Sequence, residues 1–196
     1  MKAFPPFRIF PAAPGDIPTI AQLHYQCCIE TYTALIDQAY LDQLSPQRSR
    51  KNMERGDYRQ FLLLTVGDEP AGFCSYCRSR DVDADSTTGE VQSIYLLKTY
   101  QHRGYGRALM ERALTELQQM GMQRVTLWVL SANRQAIAFY ERCGFVPSLY
   151  DRRRGQRTGH RFPSHRAAHG AHTFSPIKEK SREIIPCFFD AIVSMS

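Results

Sequence analysis

The stretch "VQSIYLLKTYQHRGYGRALMERALTELQQM" constrains this chain more than any other part of it. An apolar run passes into a long amphipathic segment through a loop that carries Gly104 and Gly106. Glycine is a poor helix former, so a pair of them at the mouth of a helix needs a local reason. A strand feeding such a loop and then a helix is a phosphate-binding arrangement. The first-turn N–H groups have no partner inside the helix, and the helix dipole favours an anion there. The glycines let phosphate oxygens approach the backbone, and Arg103 and Arg107 add charge at the rim. Two other phosphate loops are excluded. No Lys-Ser/Thr pair follows the glycines, and the third glycine and early position of a dinucleotide-binding unit are absent.

The flanking pattern predicts the elements around this loop. "FRIFPA" reads as a strand, and a helix follows with Asp16 as N-cap and Ile20, Leu23, Cys27 and Thr31 at helical spacing. "DQAYLDQL" is helical, and "SPQRSRKNMERG" has Ser45 and Pro46 as cap and first position and ends at Gly56. "FLLLTV" and "AGFCSYC" flank "GDEP", a hairpin signal, and "GEVQSIYLL" is a further strand. The helix after the loop puts Leu109, Met110, Ala113, Leu114, Leu117 and Met120 on one side. "QRVTLWVL" is a strand, "NRQAIAFYERCG" a helix capped by Asn133 and closed by Gly144, and "GFVPS" begins another strand. Antiparallel pairs followed by a βαβα unit predict an α/β (α+β) fold. Its central sheet is mixed and mostly antiparallel, with helices on both faces.

At 196 residues the chain is read as one domain over residues 1–150 and a basic, atypical tail over 151–196. No stretch approaches the ~20 continuous apolar residues of a membrane span. The prolines of "MKAFPPFRIFPAAPGDIP" are foreign to a signal peptide, so a cytoplasmic protein is expected. The net charge of +6 is concentrated in "RRRGQRTGHRFPSHR", residues 152–166, which contains no acid. That segment is read as a solvated loop or tail in preference to a nucleic-acid patch. "CSYC" at 74–77 has zinc-like spacing, yet no second pair completes a ligand set, so buried thiols are expected. The cluster of His160, His165, His169 and His172 lacks periodicity, and no metal is predicted.

Taken with "NRQAIAFYERCGF", the loop resembles the GNAT superfamily of acyl-CoA-dependent N-acyltransferases over about residues 7–148. The family signature Q/R-x-x-G-x-G/A reads as Gln101-His-Arg-Gly104-Tyr-Gly106. The resemblance implies acetyl-CoA as cosubstrate, without a metal. After Gln101, the amides of His102, Arg103, Gly104, Tyr105, Gly106 and Arg107 would hold the pyrophosphate. Backbone groups of Ile94, Tyr95 and Leu96 would take the pantetheine arm, and Asn133 would contact it. Tyr140 matches the tyrosine that protonates the departing thiolate; its other reading is a core aromatic. Asn133 and Tyr140 lie seven residues apart and so share a helix face. Asn133 is equally readable as a bare N-cap. Glu90 is the candidate base for the acceptor amine, with an exposed strand-end carboxylate as its alternative. The expected reaction is direct attack of an amine on the thioester in a ternary complex, with no acyl-enzyme.

A non-catalytic acyl-CoA-binding or sensor domain, and a nucleic-acid module using residues 152–166, are the alternatives. The acceptor is an amine on a small molecule, a peptide or a protein, and no membrane partner is expected. Relatives close the sheet with a strand beside "GFVPS", for which "SLYDRRRG" gives no apolar pattern. The run "EIIPCFFDAIV" after a long loop is one source. The strand is otherwise missing, or exchanged between subunits of a homodimer.

Overall fold

The computed structural model describes residues 6–81, 84–147 and 156–161. It contains seven strands and five α-helices among these residues: β1 (Phe7–Pro11), α1 (Ile17–Tyr32), α2 (Gln38–Leu41), α3 (Pro46–Met53), β2 (Phe61–Val66), β3 (Glu69–Arg78), β4 (Thr88–Leu96), α4 (Tyr105–Gln119), β5 (Arg124–Val129), α5 (Arg134–Arg142), β6 (Val146–Pro147) and β7 (Gln156–Arg161). The sheet is mixed, as the sequence pattern predicts, and the chain divides into two compact units.

The first unit holds β1 to β3, α1 to α3, the second half of β4 from Gln92 and the start of α4. Its strands bond in the order β1-β2-β3-β4. β1 lies antiparallel to β2 from Phe7↔Val66 to Pro11↔Leu62, and β2 lies antiparallel to β3. All six residues of β2 are buried, which suits the continuous run Phe-Leu-Leu-Leu-Thr-Val better than alternation would. The core gathers Ile17, Ile20, Leu23, Met53, Phe61, Leu63 and Phe73. A second cluster joins Cys28 to Tyr40, Leu41 and Leu44 of the α2 region.

Two helix starts show how local chemistry sets this unit. Ser45 caps α3 as expected, its hydroxyl accepting from Arg48 N at 3.1 Å. Asp16 does not cap α1 through its side chain. A 3-10 turn at Pro14–Asp16 precedes the helix, and Asp16 Oδ2 accepts from Ala13 N at 2.8 Å instead. The proline-bearing approach favours that tighter turn before the helix proper.

The second unit holds the first half of β4 up to Val91, the end of α4, β5, α5, β6 and β7. Its strands bond in the order β4-β5-β7-β6. The parallel ladder of β4 with β5 runs from Thr88↔Arg124 to Val91↔Leu127. β7 pairs antiparallel with β5 from Arg124↔Arg161 to Val129↔Gln156, and with β6 at Val146↔Gly159 and Pro147↔Thr158.

β7 corrects the expectation of a wholly solvated basic tail. Gln156–Arg161, inside the arginine-rich segment, supplies the strand beside "GFVPS" that the sequence left unplaced. Its residues show no apolar alternation, so pairing of the backbone, rather than a hydrophobic stripe, identifies it. The apolar run 184–193, Cys187, His165, His169 and His172 lie outside the described residues.

A chain ending at Gly155 loses the six-residue ladder between β5 and β7. At about 1 kcal/mol for each net hydrogen bond, this costs on the order of 3 kcal/mol or more. A lower urea midpoint, or failure to fold, is the expected result. An unchanged midpoint would show that β7 adds nothing to stability.

Candidate active site

In the first unit, β4 continues beyond its ladder with β5 through Gln92 to Leu96, and this extension is held in place from several sides. A Cβ on Gly72 of β3 would stand 2.5 Å from Tyr95 O and 2.8 Å from Leu96 Cδ1, so only glycine permits this approach. Leu97 N donates to Ala71 O at 3.0 Å, and Ser75 and Ser93 hydroxyls meet at 2.6 Å. The Glu30 carboxylate of α1 accepts from Lys98 N at 2.9 Å. Gln101, which opens the signature, donates its side-chain amide to Leu96 O at 3.0 Å. The sequence expectation placed Gln101 among the cofactor contacts, and this bond ties its side chain to the end of β4.

The loop itself is strained in the manner of an anion cradle. His102 has φ 60° and Gly104 has φ 85°, both in the left-handed region. His102, Arg103 and Gly104 are exposed, and a Cβ built on Gly104 meets nothing within 4 Å. The space over the Gly104 backbone therefore suits an oxygen of a bound phosphate. Tyr105 then turns inward at 2% exposure and stacks edge-on with Phe7 at 5.2 Å. Arg107 pairs with Glu111 one turn later at 2.8 Å on the surface. Leu109, Met110, Ala113 and Leu117 are fully buried as predicted, whereas Leu114 is half-buried and Met120 exposed.

In the second unit, Glu90 is neither exposed nor open. It is 2% exposed, and its carboxylate accepts from Arg80 N, Nε and Nη2 at 3.2, 3.4 and 2.8 Å. Burial works against the Arg80 charge, but the hydrogen bonds to Glu90 and the carboxylate's charge outweigh it, holding the guanidinium pKa above its ordinary value. Burial, with the Glu90 charge second, pushes the Cys77 thiol up to about 12. Burial alone pushes Cys74 up as well. Both are inert neutral groups of the strand, as the sequence spacing suggested. Among the described residues no cluster of His, Cys, Asp and Glu is arranged to hold a metal.

Asn133 caps α5, its Oδ1 accepting from Ala136 N at 3.1 Å. This leaves the side-chain Nδ2 as the donor with which it can meet a ligand. Tyr140 is half-buried, with Phe139 and Phe145 rings at 5.4 and 6.1 Å. Phe145 N donates to Tyr140 O at 3.0 Å, closing the helix beneath the ring.

A strand held by close backbone approach, a left-handed loop and a helix mouth form a βα unit that can take an anion. The acetyltransferase (GNAT) family matches residues 19–145, and the chain belongs to that family. By that membership it is an N-acetyltransferase. An uncharacterized N-acetyltransferase of Bacillus subtilis, YuaI, is 30% identical over 127 residues, covering 64% of this chain and 72% of that protein. The mycothiol acetyltransferase of Beutenbergia cavernae is 44% identical over 63 residues, which are 32% of this chain and 21% of that protein. The solved structure of PaiA N-acetyltransferase from Thermoplasma acidophilum, in complex with coenzyme A, matches with a TM-score of 0.67. It covers 80% of this chain and 99% of its own at 18% identity, a likeness of fold alone. Among the described residues no helix is long and apolar enough to cross a membrane.

Gly72→Ala places its methyl against the Tyr95 carbonyl and should lower stability by about 1–3 kcal/mol. Gly104→Ala meets open space and should cost about 1–2 kcal/mol through its positive φ alone. Urea unfolding of the two variants checks both, and a neutral Gly72→Ala would show that β4 yields without cost.

Proposed function

We propose that the chain is a single N-acetyltransferase domain over residues 1–150, with residues 151–196 as an appended basic segment whose β7 completes the sheet. It binds acetyl-CoA through the amides of residues 102–107 and transfers the acetyl group to a primary amine of a small molecule, peptide or protein. The observation that carries this reading is the loop. Left-handed residues at 102 and 104 stand directly before the first turn of α4, with open space above Gly104. The first-turn amides, the helix dipole and the rim arginines Arg103 and Arg107 favour a pyrophosphate there.

In this reading Ile94, Tyr95 and Leu96 offer backbone groups to the pantetheine arm. The part of β4 beyond the Val91↔Leu127 pair has donors and acceptors suited to that use. Asn133 Nδ2 adds a donor, and Tyr140 donates to the thiolate as the C–S bond breaks. The amine attacks the thioester carbon directly, so its proton must pass to a base. Glu90 enters differently from the sequence expectation: three hydrogen bonds from Arg80 occupy its carboxylate. We assign it to holding Arg80 and the turn before β4, rather than to taking the proton directly.

Release of free coenzyme A thiol from acetyl-CoA across an amine panel tests the reaction. Binding without release on every amine would instead identify an acyl-CoA sensor. Gly104→Val should weaken acetyl-CoA binding in calorimetry, and unchanged affinity in a folded variant sinks the loop assignment. Tyr140→Phe keeps the ring and deletes the proton. It should lower kcat by at least about tenfold while the acetyl-CoA Kd stays within about threefold. Normal turnover would make Tyr140 a packing residue only.

A further inference from the structure

Five side chains of the first unit lie end to end, and the reading above uses none of them as acid or base. His24 of α1 is 4% exposed, with Nδ1 2.8 Å from Ser49 Oγ of α3. Its Nε2 is 3.4 Å from Cys28 Sγ, one helical turn on. The Cys28 thiol donates to the Tyr95 hydroxyl of β4 at 3.7 Å, and that hydroxyl lies 3.4 Å from the Tyr32 hydroxyl. Ser49, His24 and Cys28 are buried, whereas Tyr95 and Tyr32 are half-buried. The chain therefore has a dry inner end and an outer end at two phenols. Burying these polar groups is costly unless they satisfy one another, and an apolar cluster would avoid that cost.

Resting on the N-acetyltransferase reading, we propose that Tyr95 is the catalytic group that receives the proton of the acceptor amine. Cys28 and His24 behind it are the path that draws the proton inward. Tyr95 belongs to the stretch of β4 whose backbone is assigned to the pantetheine arm. As the amine nitrogen bonds to the acyl carbon, its N–H bond breaks toward Tyr95 Oη. The Tyr95 O–H proton passes to Cys28 Sγ, and the Cys28 S–H proton passes to His24 Nε2. The electron pair of the broken C–S bond leaves with coenzyme A, whose sulfur takes the Tyr140 proton. Afterwards His24 returns its proton to water by the same route and Tyr140 regains one from water, so nothing is oxidised or reduced.

The path needs the Cys28 S–H to turn from Tyr95 Oη, to which it donates at rest, to His24 Nε2. It also needs neutral His24 to carry its proton on Nδ1, donating to Ser49 Oγ and leaving the Nε2 lone pair toward Cys28. Ser49 then accepts from the ring in both charge states and fixes its orientation. Cys28 of α1 and Tyr95 of β4, whose ring is 5.4 Å away, are titratable groups that face the ring. β3 contributes the Phe73 ring at 6.1 Å and α3 the Ser49 hydroxyl. Cys27, Glu30 and Tyr32 stand nearby along α1, with Glu30 bound to Lys98 N.

The test uses the full chain with acetyl-CoA and its best amine. Tyr95→Phe, His24→Gln and Cys28→Ala should each lower kcat by at least about tenfold, with the coenzyme A Kd within about threefold. Cys28→Ser keeps a relaying hydroxyl and should recover most of the activity that Cys28→Ala loses. Nitrogen NMR of the folded wild type should place the proton of neutral His24 on Nδ1, a readout that needs neither turnover nor a variant that folds. The proposal is overturned by near-normal kcat in folded Tyr95→Phe, His24→Gln or Cys28→Ala, by Cys28→Ser no better than Cys28→Ala, or by the proton on Nε2. A wild type that turns over no amine would refute the acetyltransferase reading instead, leaving the chain of hydrogen bonds to be judged by the tautomer.

Discussion

The close approach of β4 to Gly72 is the contact on which the first unit's candidate site depends. With no Cβ at Gly72, the Tyr95 carbonyl and Leu96 lie directly against β3. That placement lets Leu97 bond Ala71, Lys98 bond Glu30, and Gln101 bond Leu96. Each bond fixes the chain a residue or two nearer the loop, so the strained backbone at His102 and Gly104 rests on an immobilised strand end. Strain of this kind persists only where the surroundings over-determine it. The same approach sets Tyr95 against the His24 ring, tying the glycine loop and the buried polar chain to one backbone position.

Much of this was legible in the sequence, and the reasons are local. Ser45 followed by Pro46 can hardly be anything but a helix start, and the structure uses both residues so. The α4 stripe of Leu109, Met110, Ala113 and Leu117 is buried because its spacing follows the helical period. β2 and β3 were readable from apolar runs around a two-residue turn. The loop was readable because glycine at a helix mouth is costly without a purpose.

What stayed hidden involves partners distant in sequence. β7 has the composition of a solvated segment, and its place between β5 and β6 comes from backbone pairing that no side-chain pattern announces. Glu90 has the local look of a strand-end carboxylate, yet Arg80 reaches it from the preceding loop and buries it. The Ser49–His24–Cys28–Tyr95 chain spans three elements, and only the i, i+4 spacing of His24 and Cys28 gave a hint. Asn133 was readable both as a cap and as a ligand, and the two readings use different atoms of one amide.

Glu90 and His24 face the same physical problem with different answers. A buried carboxylate needs a cation, and Arg80 supplies one with three hydrogen bonds. Those bonds occupy the carboxylate oxygens. A neutral imidazole can be buried with hydrogen-bond partners alone, and Ser49 and Cys28 provide them. Its cost appears only when it takes a charge, during the step that delivers the proton. A dry interior therefore favours a neutral acceptor over a paired carboxylate where the group must both rest without charge and change its state in turnover.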